Sequence, residues 1–179
     1  MSILKVNTIQ DRGGNNLLVS DGAGTISSGG LMTNTPAFEA YKNADQNLSD
    51  NTTTKVTFDV ETFDTNSAFD LSNDKFTVPT GYAGKYFIYA RLDCDTTVYD
   101  IRQIQAYIYK NGSAYARNFH IGHSATNLDR LGMNVHATLD LSVGDYIEVY
   151  VLIDAGSSAP RLLNSNKSTM FGGYRIIGA

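Results

Sequence analysis

The sequence predicts an all-β fold: a jelly-roll sandwich of two sheets over residues 36–179, preceded by a short β-rich segment over residues 1–30. Three observations predict it. From Pro36 onward, apolar and polar residues alternate in run after run, the period-two signature of strands with one buried face. Asn111-Gly112 stands between two such runs and is the strongest hairpin signal in the chain. Charged residues make up only 18% of the sequence, while Asn, Thr, Ser and Gly are plentiful. That balance suits sheets with uncharged polar faces and argues against a helical bundle.

A chain of 179 residues is one domain, or one domain with an appendage. The net charge is -4 and no basic cluster occurs, so nucleic acid is not an expected partner. The single cysteine, Cys94, excludes an intramolecular disulfide framework. No apolar run approaches the length of a membrane span, so membrane insertion is not expected. The opening MSILKVNTIQDRGG lacks the apolar core of a signal peptide, which makes assembly in a cytoplasm the expectation.

Taken in order, Ile3–Ile9 reads as a short strand, Asp11–Asn16 as a turn and Leu17-Leu18-Val19 as a second strand. Ser27–Gly30 reads as a linker. Strands this short bury no core of their own, so Ile3, Leu4, Val6, Ile9, Leu17, Leu18 and Val19 are the candidate anchoring residues. Ala37–Tyr41 opens the main domain. Lys55–Thr62 alternates as one strand, with Val56, Phe58 and Val60 on one face. Lys75–Val78 is short and Pro79 ends its pairing. Gly84–Cys94 aligns Tyr86, Ile88, Ala90, Leu92 and Cys94. Residues 102–110 and 113–119 flank the Asn-Gly turn, and residues 118–134 read as a loop. Leu131–Leu141, Asp145–Asp154 and Lys167–Gly178 are the closing strands. The first of the main strands (37–41) and the last (167–178) are expected to pair, a jelly-roll habit.

The runs Phe58-Asp59, Phe69-Asp70, Phe76-Thr77-Val78-Pro79, Gly81, Gly84-Lys85-Tyr86-Phe87, Tyr109–Gly112, Leu139–Asp145 and Phe171-Gly172-Gly173-Tyr174 occur in an order that resembles the C1q globular-head domain. The resemblance covers residues 36–179. It implies a ten-stranded jelly roll related to the tumour-necrosis-factor fold, assembled as a homotrimer. LKVNTIQDRGGNNLLVSDGAGTIS is similar to the N-terminal segments of bacteriophage tail-fibre and other virion appendage proteins. That second resemblance implies attachment to other virion proteins through residues 1–30.

No catalytic constellation emerges, and a non-enzymatic protein without an organic cofactor is expected. Gly122-His123-Ser124-Ala125-Thr126 is not a nucleophile elbow. His120 and His123 do not converge as a metal pair on a loop. Cys94 follows the buried face of its strand and reads as structural. Asp93, Asp95 and Asp100 crowd one strand end and are weak calcium candidates. Tyr107, Tyr109, Tyr146 and Tyr150 lie opposite the buried isoleucines and valines of their strands. They read as trimer contact, sugar-binding surface or plain strand positions. His136, Thr138 and Asp140 are expected to join that layer. With Phe38, Phe171 and Tyr174, the four tyrosines are the trimer-interface candidates; Gly172-Gly173 would let neighbouring rings cross the last strand.

The function these readings point to is a trimeric virion appendage of tail-fibre type. It is attached through its N-terminus and binds a glycan or protein of the host surface, with residues 94–103 and 118–134 as recognition loops. The alternatives are a capsid head-fibre or decoration protein, and a cellular C1q-like lectin. The expected location is the virion, on tail or capsid surface.

Overall fold

A computed structural model describes residues 6–20, 22–23, 26–28, 34–96, 101–122, 128–156 and 159–176. The chain divides into two compact units, Met1–Asn34 and Thr35–Ala179. In the first, β1 (Thr8–Gln10), β2 (Asn16–Ser20) and β3 (Ile26–Ser28) form an antiparallel sheet. The Asp11 carboxylate holds the first turn. It accepts the N–H groups of Gly13 (2.8 Å) and Asn15 (2.9 Å) and the Asn15 side-chain amide (2.9 Å). Ile3 and Leu4, two of the anchoring candidates, lie outside the described residues.

The second unit is built of β4 (Ala37–Tyr41), β5 (Gln46–Asn47), β6 (Thr54–Lys55), β7 (Val60–Asp64), β8 (Phe69–Asp70), β9 (Lys75–Thr77), β10 (Gly84–Thr96), β11 (Gln103–Lys110), β12 (Ser113–Ile121), β13 (Arg130–Leu141), β14 (Tyr146–Asp154), β15 (Pro160–Leu162) and β16 (Met170–Arg175). Its described residues thus hold thirteen strand segments where the resemblance implied ten strands, because several are only two or three residues long. Seven strands form one sheet, in the order β5-β15-β10-β16-β4-β7 with β13 also on β10. Six form the other, in the order β12-β11-β14-β9-β8 with β6 on β14. The inward faces of both sheets merge in one core.

β16 lies between β4 and β10, so the first and last strands of the unit pair as expected, with Phe38 opposite Gly173. Phe38 and Phe171 are fully buried. Phe38 stacks on Phe76 (4.6 Å between centroids) and Phe69 (5.2 Å) from the opposite sheet, and meets Phe171 edge-on at 4.9 Å. This corrects their place among the trimer-interface candidates: both rings are spent inside a single chain's core.

Lys55–Thr62 is not one strand. Lys55 pairs with Tyr150 in the six-stranded sheet, while Val60 pairs with Tyr41 in the seven-stranded sheet. The chain crosses between sheets at residues 56–59. Val56 and Phe58 stay buried in the crossing, which is why the sequence keeps its alternation. Val56 and Asp59 keep backbone hydrogen bonds to Val149 and Tyr41, and side chains serve the N–H groups between them. The Phe58 N–H donates to Asp74 Oδ1 (2.7 Å) and the Thr57 N–H to Gln46 Oε1 (3.0 Å). The buried Lys42 ammonium donates to the Thr57 carbonyl (2.9 Å). Burial raises the Asp74 carboxyl above its ordinary range against the pull of that N–H, and lowers Lys42 against the pull of Asp59.

The Asn-Gly hairpin forms as read. Asn111 and Gly112 both take positive φ (51° and 76°), and β11 and β12 pair across them. Asp145 locks this turn to the next loop. It accepts from the Asn111 amide (2.7 Å), the Lys110 ammonium (2.9 Å) and the Ser142 N–H (2.9 Å). The Asn111 and Lys110 hydrogen bonds hold its carboxyl at about 2, below the ordinary 3.8.

Asp74→Ala leaves the buried Phe58 N–H without its acceptor, and we expect a loss of about 1–3 kcal/mol in urea denaturation with the m-value unchanged. Asp74→Asn keeps the acceptor and should cost less. Because the folded Asp145 carboxyl lies below its unfolded value, its contribution to stability is complete above the ordinary 3.8 and fades as pH falls toward about 2. Thermal melts should therefore show Asp145→Asn less stable than wild type at neutral pH, with the gap closing across that window.

Candidate functional site

The two outer faces of the sandwich differ in character. On the seven-stranded sheet, the outward row of β10 is Phe87, Tyr89, Arg91, Asp93 and Asp95, since Tyr86, Ile88, Ala90, Leu92 and Cys94 are buried. Phe87 lies beside Tyr174 (5.7 Å), Tyr89 (6.1 Å) and His136 (6.0 Å), making an aromatic patch. Tyr89 reaches across β16 over Gly172 and donates to Glu39 on β4 at 3.1 Å. A Cβ on Gly172 would overlap the Tyr89 phenol and sit 3.0 Å from the Phe38 carbonyl. The ring that crosses the last strand is therefore the chain's own, where the sequence suggested a neighbour's. Burial and the adjoining Glu39 carboxylate push the Tyr89 hydroxyl up to about 12.

Of the trimer-interface candidates, Tyr174 belongs to this patch. Tyr107, Tyr109, Tyr146 and Tyr150 lie half-buried on the outer face of the six-stranded sheet. Tyr109 stacks on Tyr150 at 4.1 Å and meets Tyr107 edge-on at 5.9 Å, while Lys75 lies over Tyr146. His136 was expected to join this layer; it lies instead beside Phe87 on β13, in the other sheet. The alternation of Gly84–Cys94 also placed Phe87 and Tyr89 outward together, a signal the sequence reading did not use.

The carboxylates at the end of β10 are engaged by arginines rather than open to a cation. Asp93 is gripped by the Arg130 fork at both oxygens, one contact at 2.8 Å. Asp95 Oδ2 accepts from Arg161 Nε at 2.7 Å. Burial raises the Asp93 carboxyl, but Arg130 outweighs it and leaves it below the ordinary range. Asp100 and His123 lie outside the described residues, as do residues 97–100 and 123–127 of the suggested recognition loops. The rest of the longer suggested loop is largely strand, in β12 and β13. Among the described residues no group of three or more acidic, His or Cys side chains is placed to hold a metal ion. Cys94 is buried and its thiol is pushed far up by burial, as befits a packing residue.

In the N-terminal unit, Val6, Ile9, Leu17 and Leu18 are between 36% and 49% exposed and Val19 is half-buried. Ile9 and Leu18 face each other across β1 and β2. Apolar side chains so placed have little of their own sheet to cover them.

No family model matches the chain. Uncharacterized protein YqcC of Bacillus subtilis (strain 168) is 31% identical over 107 residues, covering 58% of this chain and 28% of that protein. The chain thus matches little more than a quarter of that relative's length. Among solved structures, the globular domain of zebrafish complement 1qA superposes with a TM-score of 0.55 at 18% identity, covering 79% of this chain and 98% of that one. Murine APRIL gives 0.57 at 14% identity (78% and 98%). The Eiger TNF of S. frugiperda gives 0.58 at 13% (80% and 93%). The fold is C1q/TNF-like. At such identities the likeness is one of fold alone.

Gly172→Ala tests the packing under the aromatic patch. We expect about 1–3 kcal/mol of destabilisation from the overfilled site. A spectrophotometric alkaline titration should show one tyrosine moving from about 12 toward the ordinary 10.0 as the Tyr89 hydroxyl loses its setting.

Proposed function

We propose that this protein is a virion appendage of tail-fibre type, a homotrimer attached through its N-terminal unit and binding the host surface through its C1q/TNF-like domain. The observation that carries the reading is the N-terminal unit, a small sheet whose apolar residues stand exposed and call for a partner surface. The similarity of that segment to appendage leaders supports a virion protein as the partner. The domain supplies a rigid sandwich with side-chain patterns on two faces, the equipment of a binding module.

The three-fold contact, on this reading, uses the outer face of the seven-stranded sheet. Phe87, Tyr89, His136 and Tyr174 gather there beside a strand flattened by Gly172. Trimeric assembly is also what the resemblance to C1q heads implies. A three-fold array raises the effective concentration of each weak contact, so a shallow recognition surface suffices.

The test compares the full chain with a Thr35–Ala179 chain and a Phe87→Glu variant. Sedimentation should find the first two trimeric and Phe87→Glu reduced to monomers. Co-sedimentation with virus particles should hold for the full chain and fail for the shortened one. A full chain that sediments as a monomer at micromolar concentration, or a shortened chain that still rides with particles, would sink the reading.

A further inference from the structure

β12 is exposed at nearly every position and forms the end of the six-stranded sheet. Its outward residues are set by pairing with β11: Arg117 opposite Tyr107, Phe119 opposite Gln105, Ile121 opposite Gln103. Phe119 and Ile121 are 53% and 56% exposed. The polar groups between them form a connected cluster. Arg117 Nη1 donates to Gln105 Oε1 at 3.1 Å, and the Tyr107 hydroxyl donates to the same oxygen. Since that oxygen takes both donors, the Gln105 amide hydrogens and the remaining guanidinium N–H groups are left for a ligand. The Arg117 guanidinium lies over the Phe119 ring at 5.2 Å, a favourable cation–π contact between exposed side chains. No carboxylate pairs with Arg117 among the described residues.

Two other occupants fit less well. An added strand would need a regular free edge on β12, but a register shift at Ile108/Tyr109 interrupts the pairing of β11 and β12 near the hairpin. A second copy of the chain is already assigned, on the proposed reading, to the opposite sheet, where Phe87, Tyr89, His136 and Tyr174 gather. An exposed ring, a cation without a carboxylate and a pair of amide hydrogens complement a sugar chain that is apolar on one face and anionic at its rim.

We infer that this strip binds an acidic polysaccharide, the apolar face of one sugar ring resting on Phe119 and Ile121 and the carboxylate of a neighbouring sugar taken by Arg117 and the Gln105 amide. The inference rests on the host-binding reading and names the ligand class and the surface that reading leaves open.

The test titrates the full-length chain against surface polysaccharide purified from bacteria that adsorb it, before and after carbodiimide–borohydride reduction of the sugar carboxylates. Phe119→Ala and Arg117→Gln should each weaken binding by about tenfold or more, as should carboxyl reduction. Arg117→Gln should have little further effect on the reduced polysaccharide, whereas Phe119→Ala should still weaken it. Circular dichroism of both variants should match wild type, because both positions are exposed. Adsorption to cells that persists in both variants overturns the strip and leaves the host-binding reading standing. A change of oligomeric state in Phe119→Ala overturns it in favour of a contact between copies. Failure of the wild-type chain to adsorb to any bacterium removes the host-binding reading and the strip with it.

Discussion

The ring of Phe38 is the contact on which the domain's arrangement turns. It belongs to the first strand of the sandwich, touches Phe171 on the last, and stacks on Phe69 and Phe76 from the facing sheet. One side chain thus closes the chain on itself and fixes the two sheets against each other. The close approach dictates the last strand. At Gly173 an added Cβ would lie 2.5 Å from the Ile88 methyl and 3.2 Å from the Phe38 ring, so nothing larger than glycine fits without movement. At Gly172, whose side faces outward, the same bareness lets Tyr89 lie across the strand to Glu39. Core packing and outer surface are linked through two adjacent residues.

That link explains why the outer faces differ. The seven-stranded sheet carries a bare strand with aromatic rings laid beside and over it. The six-stranded sheet carries stacked tyrosines toward β14 and alternating aromatic and polar residues toward β12. Its rings are interspersed with Gln103, Gln105, Arg117 and Glu148, which keeps it wettable. On the proposed reading the first face builds the assembly and the second meets the ligand.

Much of this was legible in the sequence. Alternation found the long strands, Asn111-Gly112 found the hairpin, and the closing run found its partner in residues 37–41. Alternation alone could not tell a strand from an extended crossing, because Val56 and Phe58 are buried either way; Asp74, Gln46 and Lys42 betray the crossing only in space. Face assignment failed where it needed knowledge of which sheet a strand joins. His136 alternates correctly on β13, yet it is paired through β10 and not through β11. Phe38 and Phe171 looked like surface aromatics because a strand's sequence does not say which side the second sheet covers. Asp93 and Asp95 looked like free ligands because Arg130 and Arg161 approach from 37 and 66 residues away.

The polar surface of β12 makes physical sense at a sheet end. An exposed strand with an apolar outer face invites pairing with any other chain. Here the register is broken near the hairpin, and Arg117 supplies a charge amid the rings. Each device discourages strand addition without removing the rings from solvent. Phe119 and Ile121 suit a strand by propensity alone, and on the proposed reading a ligand that covers them removes their apolar surface from water as well.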